Sequence, residues 1–259
     1  MNNLIAPYCK TTYSKTASPE QLNLTNHIHN DFELLFFLDG KAEIVINSNT
    51  YKMKKGDVFI IKPAVFHVVN ILDYSVTYER VVINFSESFI PKDAVDFFNT
   101  CNDLYKFNED NIVYALFSEI IKNYGKLKDD KEVLDGLLRA LLFTFSKQKE
   151  YKKILPVKTN ETLEKILSFI DKSPFDKITA ELISKTFFVS PSWIAHSFKK
   201  FLGISFMQYV NKKRLVYAES LIRKGVPPTD ASIRCNFADY STFYRQYKKH
   251  FGISPKNSK

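Results

Sequence analysis

Two stretches near the C-terminal end are almost the same text: FKKFLGIS at Phe198–Ser205 and YKKHFGIS at Tyr247–Ser254. A likeness repeated at fixed spacing marks one structural unit used twice, so whatever this part of the chain folds into must contain the unit in duplicate. Aligning the copies on Gly203 and Gly252 extends the match. Thirteen positions upstream stand Ser190 and Asp239, both good helix N-caps, with Pro191 at the favoured first helical position. Each glycine suits the position that ends a helix. Two short helices of equal length are expected. Ile194, Phe198 and Leu202 recur every four residues in the first, and Phe243, Tyr247 and Phe251 in the second, giving each one buried stripe. The other face carries Ser192, Ala195, His196, Lys199 and Lys200 in one copy, and Ser241, Tyr244, Arg245, Lys248 and Lys249 in the other. It is polar and basic, with no carboxylate.

A shorter helical stretch and a tight turn precede each copy: Ile178 to Phe187, then FVS, and Thr229 to Cys235, then NFA. Two helices joined by a tight turn, the second with a basic outward face, form the helix-turn-helix pattern, whose second helix enters the major groove of DNA. Between the units a helix is expected from about Phe206 to Lys224, ended by Gly225 and Pro227. At about 1.5 Å per residue it spans about 27 Å. With the units' own width added, the two readers can reach groove segments about 34 Å, one turn, apart. The charge agrees. From Pro156 onward the chain has 18 Lys and Arg against 8 Asp and Glu, whereas the first 155 residues have 19 against 20. The whole positive excess lies in the half with the repeat, which points to a polyanion partner for that half alone.

The segment from about Glu161 to Pro255 resembles the DNA-binding domain of the AraC/XylS family of bacterial transcription regulators. SPSWIAHSFKKFLGISFMQYVNKKRL covers the first unit and the connecting helix, and FADYSTFYRQYKKHFGISP the second. The resemblance implies base-edge contacts from Ser192, Ala195 and His196 and from Tyr240, Ser241, Tyr244 and Arg245. Lys199, Lys200, Lys248 and Lys249 would hold phosphates. Arg245 has the donors for a bidentate pair to guanine, Ala195 can touch only a thymine methyl, and the lysines position without specifying. The second unit departs from the family pattern at Pro227-Pro228, Ala231, Ser232 and Asn236, and the chain ends in SPKNSK without the usual Tyr-Arg.

The first half has a different rhythm. From Asn26 to Asn70, alternation such as Ala42, Ile44 and Ile46, aromatic enrichment, and turn signals at Asp39-Gly40, Asn47 to Asn49 and Lys55 to Asp57 read as short antiparallel strands of a small barrel or jelly roll. His27, His29 and Glu33 in the spacing HxHxxxE, then Gly40, Gly56-Asp57 and a PxxxH ending at His67, resemble the cupin barrel, the sensing domain that precedes the DNA reader in the same family. The effector pocket is expected around His29, Glu33, Phe36 and His67. In cupin enzymes His27, His29, Glu33 and His67 would be metal ligands, a set that suits a first-row divalent ion. A metal-dependent enzyme or a metal-sensing regulator is therefore the alternative reading. From Asp93 to Tyr151 the period turns helical, and Val133, Leu134, Leu137, Leu138, Leu141, Leu142 and Phe145 make an apolar face wider than one barrel wall needs. Part of it would pack on the barrel and part would pair with a second chain.

The expected fold class is two-domain α+β. Residues 1–92 are read as a cupin-like effector-binding barrel, 93–152 as its appended helical dimerisation segment, 153–160 as a linker, and 161–259 as an all-α domain of two helix-turn-helix units joined by a linker helix. The function expected is a sequence-specific, DNA-binding transcription regulator, activator or repressor, modulated by a small molecule. It is not read as an enzyme and no cofactor is expected. Double-stranded DNA, a small-molecule effector and a second copy of the chain are the expected partners, with RNA polymerase a further one. A basic protein-interaction adaptor is disfavoured, since it would not require two matched helices. No apolar run nears the roughly 20 residues of a membrane span, and the first residues lack the pattern of a signal peptide, so a cytoplasmic location is expected. Cys9, Cys101 and Cys235 are three widely separated thiols with no CxxC, and indicate neither disulfides nor a zinc module.

Overall fold

A computed structural model of the chain describes residues 9–17, 19, 27–127, 129–148, 154–173, 175 and 178–258. The first half is built on two antiparallel sheets. Strands β1 (Cys9–Thr16), β2 (Phe32–Asp39), β3 (Ala42–Ile46), β4 (Asn49–Lys52), β5 (Asp57–Ile61), β6 (His67–Ile71), β7 (Tyr78–Phe85) and β8 (Leu104–Lys106) pair in the orders β1-β7-β2-β5-β8 and β4-β3-β6. Successive side chains on a strand point to opposite faces. β2 uses both. Leu35 and Phe37 join Ile44, Phe59 and Ile61 between the sheets, while Phe32, Leu34 and Phe36 pack outward. Helices α1 (Val95–Thr100), α2 (Ile112–Leu127) and α3 (Lys131–Ser146) cover that outer face with Phe98, Val113, Phe117, Leu141 and Phe145. Gly40, φ +128°, ends β2. A Cβ there would lie 3.2 Å from the Thr77 carbonyl oxygen and from the Tyr78 ring, so both the backbone angle and the space call for glycine.

Residues 93–152 were expected to be helical throughout. The structure corrects this: β8 extends the larger sheet beside β5, and only the flanking segments are helices. The expected boundary at residues 152 and 153 lies outside the described residues.

The second half is all helical: α4 (Glu161–Lys172), α5 (Ala180–Phe187), α6 (Pro191–Ser197), α7 (Phe206–Arg223), α8 (Pro228–Arg234) and α9 (Tyr240–Phe251). The first helix-turn-helix unit is α5 and α6, the second is α8 and α9, and the 18-residue α7 joins them. Ser205 opens α7 with a capping box: its hydroxyl accepts from the Gln208 amide N–H, and the Gln208 side chain accepts from the Ser205 N–H. α7 belongs to two cores. Its first half adds Phe206, Tyr209 and Val210 to a core with α4, α5 and α6, and its second half adds Leu215, Ala218 and Ile222 to a core with α8 and α9.

The two halves are docked. Ile28, Val45, Phe66 and Val68 of the barrel half belong to the same core as α4 to α7, with the Phe66 and Tyr209 rings 6.1 Å apart. Before α4 the chain pairs with β4, Thr50 N–H donating to Lys158 O (2.9 Å) and Val157 N–H to Thr50 O (2.7 Å). Polar groups then run along α7. Lys213 Nζ, on a side chain only 6% exposed, reaches Ala64 O and the Asp171 carboxylate. The Asn30 amide donates to Val216 O (2.6 Å) and Glu219 Oε2 (2.8 Å). Arg223 holds Glu219 at 2.7 Å and Asp31 at 3.1 Å.

Candidate nucleic-acid interface and effector cavity

The two reader helices are made by the capping residues found in the repeat. The Ser190 hydroxyl accepts from Trp193 N–H (3.1 Å) at the start of α6, and Asp239 Oδ1 from Thr242 N–H (2.7 Å) at the start of α9. That bond holds the Asp239 carboxyl below its ordinary range. Gly203 and Gly252 stop the helices in the left-handed conformation, φ 71° and 75°. The copies are not equal, however. After Ser197 the first reader widens into a π-helical turn, Phe198–Leu202, whereas α9 is regular to Phe251.

Ser192, Ala195, His196, Lys199 and Lys200 are exposed on the first reader, as are Ser241, Tyr244, Arg245, Lys248 and Lys249 on the second. Tyr240 is half-buried, its ring 5.7 Å from Phe243 and 6.4 Å from Tyr244. Lys199 Nζ donates to Gly203 O (3.2 Å), closing the end of its own helix. Lys249 also lines the cavity described next, so it serves two surfaces. In the turn between α5 and α6, Phe188 takes φ 54° and is 95% exposed, a left-handed phenylalanine that the sequence reading did not single out.

A cavity of ≈ 1030 Å³ lies where the barrel mouth meets α7 and α9. Thr12, Glu33, Val82 and Asn84 face it from the barrel sheet, and Gln208, Leu215, Gln246 and Phe251 from the helical half. Of the expected effector residues, His29, Glu33 and His67 line it. Phe36 does not: strand alternation turns it away from Glu33, and its ring stacks 4.5 Å from Phe117 of α2.

His29, Glu33 and His67 bring one ligand atom each within 4.8 Å of the others. Their protons can be placed by chemistry. His29 Nδ1 lies 2.9 Å from Asp31 O and His67 Nδ1 3.2 Å from Val65 O. A carbonyl oxygen only accepts, so both Nδ1 atoms carry hydrogen. Both Nε2 atoms then face Glu33 Oε2, at 3.2 and 3.7 Å, and Asn84 donates to the same oxygen at 2.8 Å. A neutral His29 would aim a lone pair at that carboxylate, so its 3.2 Å contact calls for a positive charge, carried by a proton or by a metal ion. Burial disfavours charge on Glu33, but the imidazoles of His67 and His29 outweigh it and hold the carboxyl well below its usual range. Burial opposes charge on His29 as well, and Glu33 overcomes it and raises the pKa. His27, the fourth residue of the expected metal set, stands outside this group. It exchanges backbone hydrogen bonds with His67 (2.9 and 3.1 Å), and burial, with His67 beside it, pushes its imidazole down to about 4.

Sequence reasoning missed the residues that join the halves. The bonds of Asn30 and Asp31 to Val216, Glu219 and Arg223 cross as much as 192 positions of chain, and only the Glu219–Arg223 pair, four residues apart on α7, is a local pattern.

A helix-turn-helix domain family matches residues 183–258 and a cupin domain family residues 16–73. YdiP of Escherichia coli (strain K12), described as an uncharacterized HTH-type transcriptional regulator, is 24% identical over 241 residues, covering 90% of this chain and 80% of that protein. The lactose operon transcription activator of Staphylococcus xylosus is 21% identical over 224 residues, covering 83% and 78%. Among solved structures, unsaturated fatty acid bound wild-type ToxT from Vibrio cholerae strain SCE256 aligns with a TM-score of 0.43 at 18% identity, covering 98% of this chain and 95% of that one. The chain is thus a DNA-binding transcription regulator with a cupin domain ahead of two helix-turn-helix units. These matches support the resemblance of both halves to regulators of the AraC/XylS family. Among the described residues no helix is long and apolar enough to cross a membrane.

Proposed function

We propose that this regulator reads two adjacent major-groove segments with α6 and α9, and that a small molecule in the cavity at the barrel mouth sets its affinity for them. Ser192, Ala195, His196, Tyr240, Ser241, Tyr244 and Arg245 are the base-edge contacts in this reading, and Lys199, Lys200, Lys248 and Lys249 hold phosphates. The observation that carries it is the pair of capped helices with exposed basic faces at the two ends of α7, whose 18 residues span about 27 Å. An effector acts by binding two domain arrangements with different affinity, and the cavity walls come from both domains. The protein works in the cytoplasm as a homodimer. Val133 (49% exposed) and Phe143 (41%) on α3 support a second copy, while Leu138, Leu141, Leu142 and Phe145 of the same helix are spent inside its own domain. Selection of bound sequences from a random duplex pool by the full chain tests the reading. A recovered motif with two parts about one helical turn apart agrees with it; recovery of no preferred sequence at moderate salt defeats it.

The converging Nε2 atoms favour a second reading of the same barrel, a metal-sensing one. His29, Glu33 and His67 would hold a first-row divalent ion, with their Nδ1–H groups fixed on carbonyls in the way metal-bound imidazoles are. The ion would supply a fixed positive charge at the cavity wall. Metal analysis of the purified chain, with and without chelation, separates a metal-held site from a proton-held one.

A further inference from the structure

The cavity at the domain seam has an unbalanced charge. Lys10 and Arg80 reach it from β1 and β7, Lys212 from α7 and Lys249 from α9, while its carboxylates are Asp31 and Glu33. Both carboxylates are already engaged: Asp31 with Arg223 at 3.1 Å, and Glu33 with Asn84 at 2.8 Å and His29 at 3.2 Å. Among the described residues none of Lys10, Arg80 and Lys249 has an ion-pair partner in the structure. Arg80 makes a long hydrogen bond to the Tyr78 hydroxyl (3.4 Å), which leaves most of its donors unused. Lys10, Arg80 and Lys249 around one concave space, with Lys212 beside them and the local acids already engaged, raise a positive potential that a neutral or cationic molecule does not relieve.

We propose that this cavity binds a small organic polyanion bearing carboxylate or phosphate groups, held from the barrel side by Lys10 and Arg80 and from the helical side by Lys212 and Lys249. The proposal rests on the effector reading above and gives its ligand a chemical class. It also supplies a coupling. Lys249 is on the second reader helix, among the residues assigned to DNA phosphates, and lines the cavity as well. One ammonium group cannot serve both anions fully. The bound polyanion therefore competes with the DNA backbone for Lys249 while tying α9 to the barrel.

The experiment is a calorimetric titration of the full chain with citrate, pyrophosphate and glucose 6-phosphate at constant ionic strength, with glucose as the uncharged control. Citrate reports carboxylate recognition and the other two phosphate recognition. At least one anion is expected to bind saturably and glucose not at all. Arg80→Gln and Lys249→Gln should each weaken that binding by about tenfold, the worth of one charge-assisted hydrogen bond. Lys15→Gln, on β1 but paired with Glu79 outside the cavity, should leave it unchanged. Lys249→Gln replaces an exposed side chain, and matching circular dichroism for the variants keeps loss of fold from imitating loss of binding. On a selected duplex, the saturating anion should weaken binding by the full chain but not by Lys249→Gln. If no anion of the panel binds saturably, if glucose binds as well, or if both cavity variants bind like the parent, the proposal is overturned. Duplex binding measured on the same preparation keeps the two readings apart. A chain that selects DNA but ignores every anion loses this inference alone, whereas one that selects no DNA loses the proposed function.

Discussion

Arg223→Ala is the substitution whose cost the structure specifies best. Arg223 gives Nη2 and Nε to Glu219 Oε1 at 2.7 and 3.1 Å, and Nη1 to Asp31 Oδ1 at 3.1 Å. Glu219 is 4% exposed, so removing the guanidinium leaves a buried carboxylate with the Asn30 amide, at 2.8 Å on its other oxygen, as its remaining side-chain donor. Breaking a buried pair from one side costs about 3–5 kcal/mol. Here the Arg223 side chain is 24% exposed and Asn30 stays in place, so the expected loss is about 2–3 kcal/mol. For a chain of this size that lowers the thermal midpoint by about 4–12 °C. The assay is denaturation followed by circular dichroism, run as a cycle with Glu219→Gln. The double variant should recover part of the loss, because it removes the stranded charge together with its partner. Asp31→Asn, which removes one contact and leaves the Arg223–Glu219 pair on α7 intact, should cost about 1 kcal/mol. A loss below about 0.5 kcal/mol for Arg223→Ala, the range of an ordinary surface change, or a double variant no better than the single one, would refute the claim that the seam buries Glu219.

Arg245→Ala should cost about 1–3 kcal/mol at one base pair and relax preference there, whereas Lys248→Ala should weaken all duplexes alike and reduce the salt slope by about 1; equal losses on selected and random duplex for Arg245→Ala contradict its assignment. Phe188→Gly should stabilise the chain by up to about 1 kcal/mol, since glycine takes the left-handed turn without a Cβ penalty, and a fall in midpoint would mean the exposed ring has a partner within the chain. His250 joins α9 to the barrel through Ile28 O at 3.0 Å, and burial pushes its imidazole down to about 4, with Lys212 and His29 adding to the shift. Its folded pKa lies below the unfolded value of about 6.5, so the unfolded chain binds the extra proton. Its contribution is complete above pH 6.5 and falls as the pH drops toward 4, by about 2–3 kcal/mol at most. His27, also near 4, titrates in the same window, so His250→Gln should flatten the slope without abolishing it; an unchanged slope excludes His250 as a source.

What was legible in the sequence was local. Ser190, Asp239, Gly203 and Gly252 mark helix ends because a cap acts on groups two or three residues away, and the structure uses all four in that way. Strand parity was legible but not applied, since the expected pocket put Phe36 beside Glu33. Glu33 and Phe36 are three apart on β2, so a period of two puts them on opposite faces, and only Glu33 can line the cavity. β8, three residues long, offers too little text for any period and exists because β5 presents an edge for it. The π-helical turn at Phe198–Leu202 stands over nearly the same letters as the regular end of α9, so the text alone does not separate them. The seam was least legible, because apart from the Arg223–Glu219 pair on α7 its bonds join residues that only the finished fold brings together.

The docking of α7 limits how an effector can act. Polar bonds join the barrel half to this helix at Lys213, Val216, Glu219 and Arg223, a run at helical spacing that begins near its middle and ends at its last residue, and Phe66 meets Tyr209 ahead of them. The same helix is built into the cores of both helix-turn-helix units. A change in the barrel therefore meets a continuous rod whose two ends are fixed into the units that carry α6 and α9. Altering the spacing between the readers would require bending α7 or breaking one of those cores, while releasing the seam requires parting the polar bonds along one face, the His250 bond to Ile28 O and the contact of Phe66 and its neighbours, with the Thr50 pairing to Val157 and Lys158 left as a tether. The second route costs less. An effector at the seam should thus change how the DNA-binding half is oriented on the barrel, and how free Lys249 is, before it changes the distance between the two readers. Footprints of the full chain with and without effector should keep the same separation between half-sites and differ in occupancy.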